Sequence, residues 1–319
     1  DGIRDYKVTG VQTCALPIYQ VRLPPYLPNH PVILADWAQY LDAVRYTDYQ
    51  LGTIVQRLQE TGELDNTIIF FMTDHGISHV RNKQFLYDGG THVPLIVAGP
   101  GIEQGKVRED LVEHIDLAAT SLELAGIARP SGMQSQDLFA KGQQPRRAVF
   151  AARDRADETV DWIRSVRTDR WKYIYNGFPS RPYLQPNHYK DTKGIVRAMR
   201  EWHEAGKLAP AQALIMSENR PREELYDLEK DPYELKNLAV GDLAADPEVA
   251  KKLGELRQSM KEWLEKIGDP IEIESEEVYG LEAGAEHLEG GKGNRTPQYQ
   301  RNLELMKRWR TERPFVRPE

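Results

Sequence analysis

A single cysteine, Cys14, stands among 319 residues, which excludes an internal disulfide framework and leaves the redox compartment unreadable from thiols. Long apolar runs are missing as well: nothing approaches the roughly 18 consecutive apolar residues of a membrane-crossing helix, so no transmembrane segment is expected. There is no excess of positive charge. The 42 basic residues against 49 acidic ones give a net charge of −7, which argues against a nucleic-acid partner. No repeat of fixed period occurs. What remains is an ordinary globular composition, 40% hydrophobic, long enough for one large domain and a smaller one.

The centre of the chain is TIIFFMTDHGISHVRNKQFLYDGGTHVPLIVAGPG, residues 67–101. Two apolar, β-branched runs there read as strands covered on both faces by helices. Between them lies a loop dense in metal-ligand and anion-binding residue types. In open α/β sheets ligands bind beyond the carboxyl ends of strands, which is where Asp74 and His75 fall. A hard carboxylate beside an imidazole suits a divalent cation, and Gly76 lets the backbone turn away. Lys83 offers a compact positive charge for an anion. The plainer readings are a helix-capping Asp with a surface His, and a solvated loop lysine.

The order TDHG, a lysine, LYDGG, VPLIV and GPG resembles the sulfatases of the alkaline-phosphatase superfamily at their second metal-ligand motif. PPYLPN, the helix after it and ELYDLEKDPYELKNL extend the resemblance toward heparan N-sulfatase-like enzymes. The resemblance implies that Asp74 and His75 bind calcium and that Lys83 is catalytic through contact with the sulfate. His75 stands where many members have Asn, so zinc or manganese also suits the site. It implies further a sulfated carbohydrate or glycosaminoglycan as substrate. Two other readings stay open: a phosphate or phosphonate ester hydrolase of the same superfamily, and a non-catalytic sulfated-sugar-binding relative.

Residues 1–18, DGIRDYKVTGVQTCALPI, show no basic region followed by an apolar one, and resemble translated sequencing-adapter text. They are set aside as an assembly scar. Cys14 goes with them, because Cys14-Ala15-Leu16-Pro17-Ile18 does not match the C-x-P-x-R signature in which sulfatases carry their formylglycine precursor. Residues 19–145 then read as the C-terminal part of a sulfatase-type α/β/α sandwich. Within them, Trp37 to Leu58 form an apolar stripe at helical spacing expected to pack in the core. A second helix is expected over Arg108–Gly126; His114 and Asp116 look like metal candidates in isolation, but the resemblance implies structural roles for them.

Residues 146–270 change texture to AVFAARDR, DWIRSVRTD and WKYIYN, short alternating segments that predict an antiparallel meander in a small α+β subdomain. Arg153 and Arg155 crowd charge at a strand end, either to contact substrate or to form a salt-bridge cluster. The proline-rich excursion FPSRPYLQPNHYK brings His188, a substrate contact or a surface histidine. A helix is read over 191–217, and an amphipathic helix over Pro247–Ile267 with Val249, Leu253, Leu256 and Met260 on its apolar side. Asp227, Asp231 and Glu234 lack the spacing of an EF-hand. In the tail, 271–319, Leu303, Met306 and Trp309 are placed to lie against the domain.

Asp74 and His75 alone give too few ligands for calcium. The resemblance implies that the remaining ligands and the formylglycine nucleophile precede Tyr19, so the chain is expected to be an N-terminally truncated fragment, inactive alone and with exposed apolar faces.

Overall fold

The computed structural model describes residues 20–142, 144–269 and 297–318. The expected scar with Cys14, and the segment GAEHLEGGKGNR, lie outside the described residues. The chain divides into two compact units. One contains Leu95–Ile102, Thr192–Ala213 and the described residues up to Met72; the other contains the rest.

The first unit is built on α1 (Pro31–Glu60), which opens with Pro31 at its first turn and His30 Nδ1 accepting the Val32 N–H at 3.1 Å. It packs against α5 (Gly194–Glu204), where Ile195, Val196 and Met199 are fully buried, and the His30 and Trp202 rings meet edge to face at 5.0 Å. The expected core stripe is not realised. Ile33 and Ala38 are buried, whereas Tyr40, Val44 and Ile54 of the stripe are exposed. Helix α1 has thirty residues and its main partner eleven, which is too short to cover a stripe that runs from Trp37 to Leu58.

Strands β1 (Ile69–Met72) and β2 (Leu95–Ala98) pair directly and antiparallel, Ile69 opposite Ala98 and Met72 opposite Leu95. They are not covered on both faces as their continuous apolar sequence predicts: Met72 is 44% and Ile96 59% exposed. Among the described residues this sheet has two strands of four residues, too small to hide either face.

The second unit carries the predicted meander. Strands β3 (Val149–Ala156), β4 (Thr159–Arg167), β5 (Trp171–Asn176) and β6 (Glu223–Asp227) form one antiparallel sheet in chain order. Pairing shifts register between Arg153 and Arg155, a bulge that re-aims the side chains at the strand's end. Helix α7 (Pro247–Ile267), capped by Asp246 accepting the Glu248 and Val249 N–H groups, packs Leu253, Leu256 and Met260 against Trp162, Val166, Tyr173 and Leu225. Helix α8 (Pro297–Glu312) buries Leu303, Met306 and Trp309 beside Val160, the three residues the sequence pattern selects.

Two helices are shorter than their patterns. Only α3 (Asp116–Leu124) forms within Arg108–Gly126, because the Asp116 carboxylate turns back to accept the Glu113 N–H at 2.8 Å and holds the preceding residues as a loop. Between 191 and 217, regular helix is confined to α5 and the single turn α6 (Pro210–Ala213), since Gly206 and Pro210 interrupt the pattern.

Candidate functional site

The chain from Thr73 to Pro94 folds back on itself through close main-chain approaches that depend on glycine. Gly76 N–H donates to the Gly90 carbonyl at 3.0 Å, and a Cβ on Gly76 would fall onto the Gly89 carbonyl oxygen. Gly90 in turn faces the Asn82 and Phe85 carbonyls. Lys83 N–H donates to the Ile77 carbonyl at 3.0 Å. These contacts tie TDHG, Lys83 and LYDGG into one loop.

Two non-glycine residues in that loop have left-handed backbones, Arg81 at φ 71° and Gln84 at φ 78°. Such conformations persist where surrounding structure over-determines them. Here it does. The Arg81 guanidinium lies 3.7 Å over the Tyr87 ring and donates to the Tyr233 carbonyl at 2.8 Å and to the Glu234 carbonyl. The Gln84 carbonyl accepts from Arg153 at 2.7 Å.

The LYDGG end is seated on the antiparallel sheet. Within it, α2 (Asp88–Thr91) presents Asp88 to Lys172 Nζ at 2.8 Å and to Arg167 at 3.3 Å. Burial would raise the Asp88 carboxyl, but His92, Lys172 and Arg167 outweigh it and hold it well below the usual carboxylate range. Tyr87 Oη donates to Glu224 at 2.8 Å, and the Asp88 N–H donates to Glu234 at 2.8 Å. Asp88 is therefore an anchor of the loop.

Asp74 and His75 stay toward solvent, with side chains 85% and 36% exposed. His75 Nδ1 lies 2.6 Å from the Gly76 carbonyl, which can only accept, so Nδ1 is the donor of this bond. Nε2 and Asp74 Oδ2 are 3.5 Å apart. Metal-binding histidines commonly donate one ring N–H to a carbonyl in this way, which leaves the other nitrogen for the cation. The pair fits a divalent cation as two of its ligands. Among the described residues, no third acidic, His or Cys side chain joins them in a cluster able to hold a metal.

Lys83 is half-buried, with its ammonium 4.9 Å from the centre of the Tyr189 ring. Tyr189 Oη also shares a 2.7 Å hydrogen bond with Ser78 Oγ. Tyr189 belongs to the single turn α4 (His188–Asp191). Its neighbour His188 is half-buried, and its N–H donates to Glu158 at 2.7 Å. Nothing in the run PNHYK marks the tyrosine above the histidine, because the contact depends on a fold that joins residues 78 and 189.

Arg153 is buried, 9% exposed, with its guanidinium on Gln84 and 3.7 Å from Asp161, which is itself paired with Arg220. The structure thus puts Arg153 in a buried charge cluster behind the Lys83 loop. Arg155 lies half-buried on β3 opposite Val160. His114 is exposed, and Asp116 is fully buried in an ion pair with Arg146 at 2.5 Å, a structural role of the kind the family resemblance implies.

With that geometry in view, the comparisons with known proteins are consistent. Residues 16–127 match the sulfatase family, and 75–180 match the C-terminal domain of N-sulphoglucosamine sulphohydrolase. An ulvan-active sulfatase of Formosa agariphila is 34% identical over 258 residues, covering 80% of this chain and 42% of that protein. The human N-sulphoglucosamine sulphohydrolase is 27% identical over 264 residues, covering 78% and 52% respectively. Among solved structures, a 2-O GAG sulfatase superposes with a TM-score of 0.50 at 25% identity, over 75% of this chain and 43% of that one. The chain spans about half the length of the curated relatives it matches. The two family matches overlap and together span residues 16–180, about half of the chain, and the relatives and the fold agree with them: the chain belongs to the sulfatase family.

Proposed function

We propose that this chain is the lysine-bearing part of a sulfuric-ester or sulfamate hydrolase that acts on a sulfated saccharide. The observation that carries the reading is the loop closure by Gly76–Gly90 and Lys83–Ile77, which makes a cation-ligand pair and an anion-binding ammonium parts of one rigid segment. Lys83 contacts a sulfuryl oxygen and stabilises the negative charge that gathers there as the S–O or S–N bond breaks. Asp74 and His75 contribute two ligands to a divalent cation, calcium in the preferred reading; when bound, the cation supplies further charge compensation for the sulfuryl oxygens. The formylglycine nucleophile of the family has no counterpart in the described residues. The names of the relatives, ulvan, N-sulphoglucosamine and glycosaminoglycan, favour a sulfated sugar for this chain too. Arg155 and His188 are candidate contacts to that sugar.

The test is hydrolysis of 4-nitrophenyl sulfate, of a sulfated glucosamine and of 4-nitrophenyl phosphate by the protein that carries this chain. Sulfate or sulfamate turnover that is lost in Asp74→Ala and Lys83→Ala, with thermal unfolding unchanged, supports the reading. Turnover confined to the phosphate ester overturns it in favour of a phosphohydrolase. Binding of the sulfated sugar without turnover overturns it in favour of a binding protein.

A further inference from the structure

The anion-binding lysine lacks a carboxylate partner: among the described residues none lies within ion-pair distance of Lys83 Nζ, and the group facing the ammonium is the ring of Tyr189 at 4.9 Å. A lysine held by no anion keeps the freedom of four side-chain torsions, so whatever restricts it sets how well its charge is aimed. The Tyr189 ring can do so because its own seat is fixed from several directions. The His188 N–H and Asn302 Nδ2 both donate to Glu158 Oε1 at 2.7 Å, Gln298 Nε2 donates to Asp191 Oδ2 at 2.9 Å, and Lys190 Nζ donates to the His79 carbonyl at 2.7 Å. Helix α4 is thereby clamped between the β3–β4 hairpin, α8 and the loop that carries Lys83. From that seat Tyr189 reaches both arms of the loop, the ring to Lys83 and the hydroxyl to Ser78, three residues beyond His75.

We propose that Tyr189 is the positioning residue of Lys83: its ring confines the ammonium and its hydroxyl pins Ser78, so that the anion-binding and cation-binding arms of the loop keep a fixed separation. This rests on Lys83 being the sulfate contact. Tyr189 makes no covalent or proton-transfer contribution; it acts through another residue. Its side chain is about one-third exposed, so truncating it does not open the core.

Three variants of the protein that carries this chain test the proposal: Tyr189→Phe, Tyr189→Leu and Lys83→Ala. A face-on ring shifts nearby protons upfield, so the Lys83 ε-methylene resonances report the contact without reference to activity. The upfield shift is expected in the wild type and in Tyr189→Phe, and should be lost in Tyr189→Leu. Sulfate-ester kcat is expected to fall about tenfold or more in Tyr189→Leu with KM changed less, and to lie between that variant and wild type in Tyr189→Phe, which keeps the ring beside Lys83 but loses the bond to Ser78, because misaimed catalytic groups are penalised in the transition state more than in binding. Lys83 resonances that do not respond to Tyr189→Leu overturn the proposal whatever the kinetics, and so does an unchanged kcat in that variant beside an impaired Lys83→Ala. If the resonances respond but Lys83→Ala turns over normally, the sulfate assignment of Lys83 fails and the positioning role falls with it, while the ring contact stands.

Discussion

The Arg153 guanidinium donates to the main-chain carbonyl of Gln84 at 2.7 Å, across 69 residues of sequence and one residue beyond Lys83. The bond holds a residue whose φ of 78° is unfavourable for a side chain with a Cβ. Arg153→Met keeps the length of the side chain and removes the donor. It is expected to lower stability by about 1–3 kcal/mol in urea unfolding, the cost of an unsatisfied carbonyl and a loosened turn. A pure sugar contact at Arg153 would behave in the opposite way, raising KM and leaving the unfolding midpoint where it was.

Gly76→Ala probes the other closure of the same loop. The added methyl would meet the carbonyl of Gly89, a backbone atom that cannot rotate aside, so the Gly76–Gly90 bond must open. The expected result is a loss of at least about 2 kcal/mol in stability. On the proposed roles of Asp74, His75 and Lys83, activity should fall further than in Asp74→Asn, because the opening separates Lys83 from the Asp74–His75 pair as well as disturbing the pair itself. Calorimetric unfolding together with sulfate-ester turnover checks both parts.

How far the sequence carries is visible in these two residues. Asp74, His75, Gly76 and Lys83 lie in ten consecutive positions, so their chemistry and turn requirement can be read from a linear pattern. Three strands of the meander are legible for the same reason, since AVFAARDR, DWIRSVRTD and WKYIYN each satisfy a local period, whereas the fourth, at ELYD, is marked only by the family resemblance. The role of Arg153 is not local. Charge at a strand end is equally compatible with a sugar contact and a buried cluster, and only the pairing of β3 with a loop 69 residues earlier decides. Tyr189 is hidden by the same logic. The apolar stripe of α1 fails differently, because periodicity states which face can be buried without supplying the surface that covers it.

Asp161 and Arg220 are both fully buried and bonded through two guanidinium nitrogens, with the Gln185 amide donating to the same carboxylate at 2.9 Å. Burial raises the Asp161 carboxyl, but Arg220 and Arg153 outweigh it and keep it below its ordinary value. Asp161→Ala leaves Arg220 without its counter-ion in the interior. The expected destabilisation is about 3–5 kcal/mol, far above that of an exposed pair such as Lys106–Glu103, where Lys106→Ala should change stability by less than about 1 kcal/mol. Urea unfolding of the two variants side by side measures the contrast.

Glu234 gives the fold a pH dependence whose sign can be worked out. Its side chain is buried beneath the loop, at a residue of φ 54°, with Oε2 accepting the Asp88 N–H and Oε1 3.9 Å from Lys172 Nζ. Burial dominates over Lys172 and Arg81, and pushes the carboxyl from 4.5 up to about 7. A carboxyl whose folded pKa is raised binds its proton more tightly in the native state than in the unfolded chain, so native stability falls as pH rises from about 4.5 to about 7 and levels off above. Asp88, held low, acts in the other direction, contributing stability above its unfolded value that is lost only as the medium becomes strongly acidic. The two effects occupy separate pH ranges. Between pH 5 and 7 the Glu234 decline should therefore be readable alone among this facing set of Asp88, Lys172, Arg81 and Arg167, on the order of 2–3 kcal/mol. Glu234→Gln, which cannot ionise and keeps an acceptor for the Asp88 N–H, is expected to flatten the profile over that range and to be more stable than wild type at pH 8. A wild-type unfolding free energy that rises through the same interval would show that Lys172 holds Glu234 as a carboxylate, and the assignment of the group would reverse.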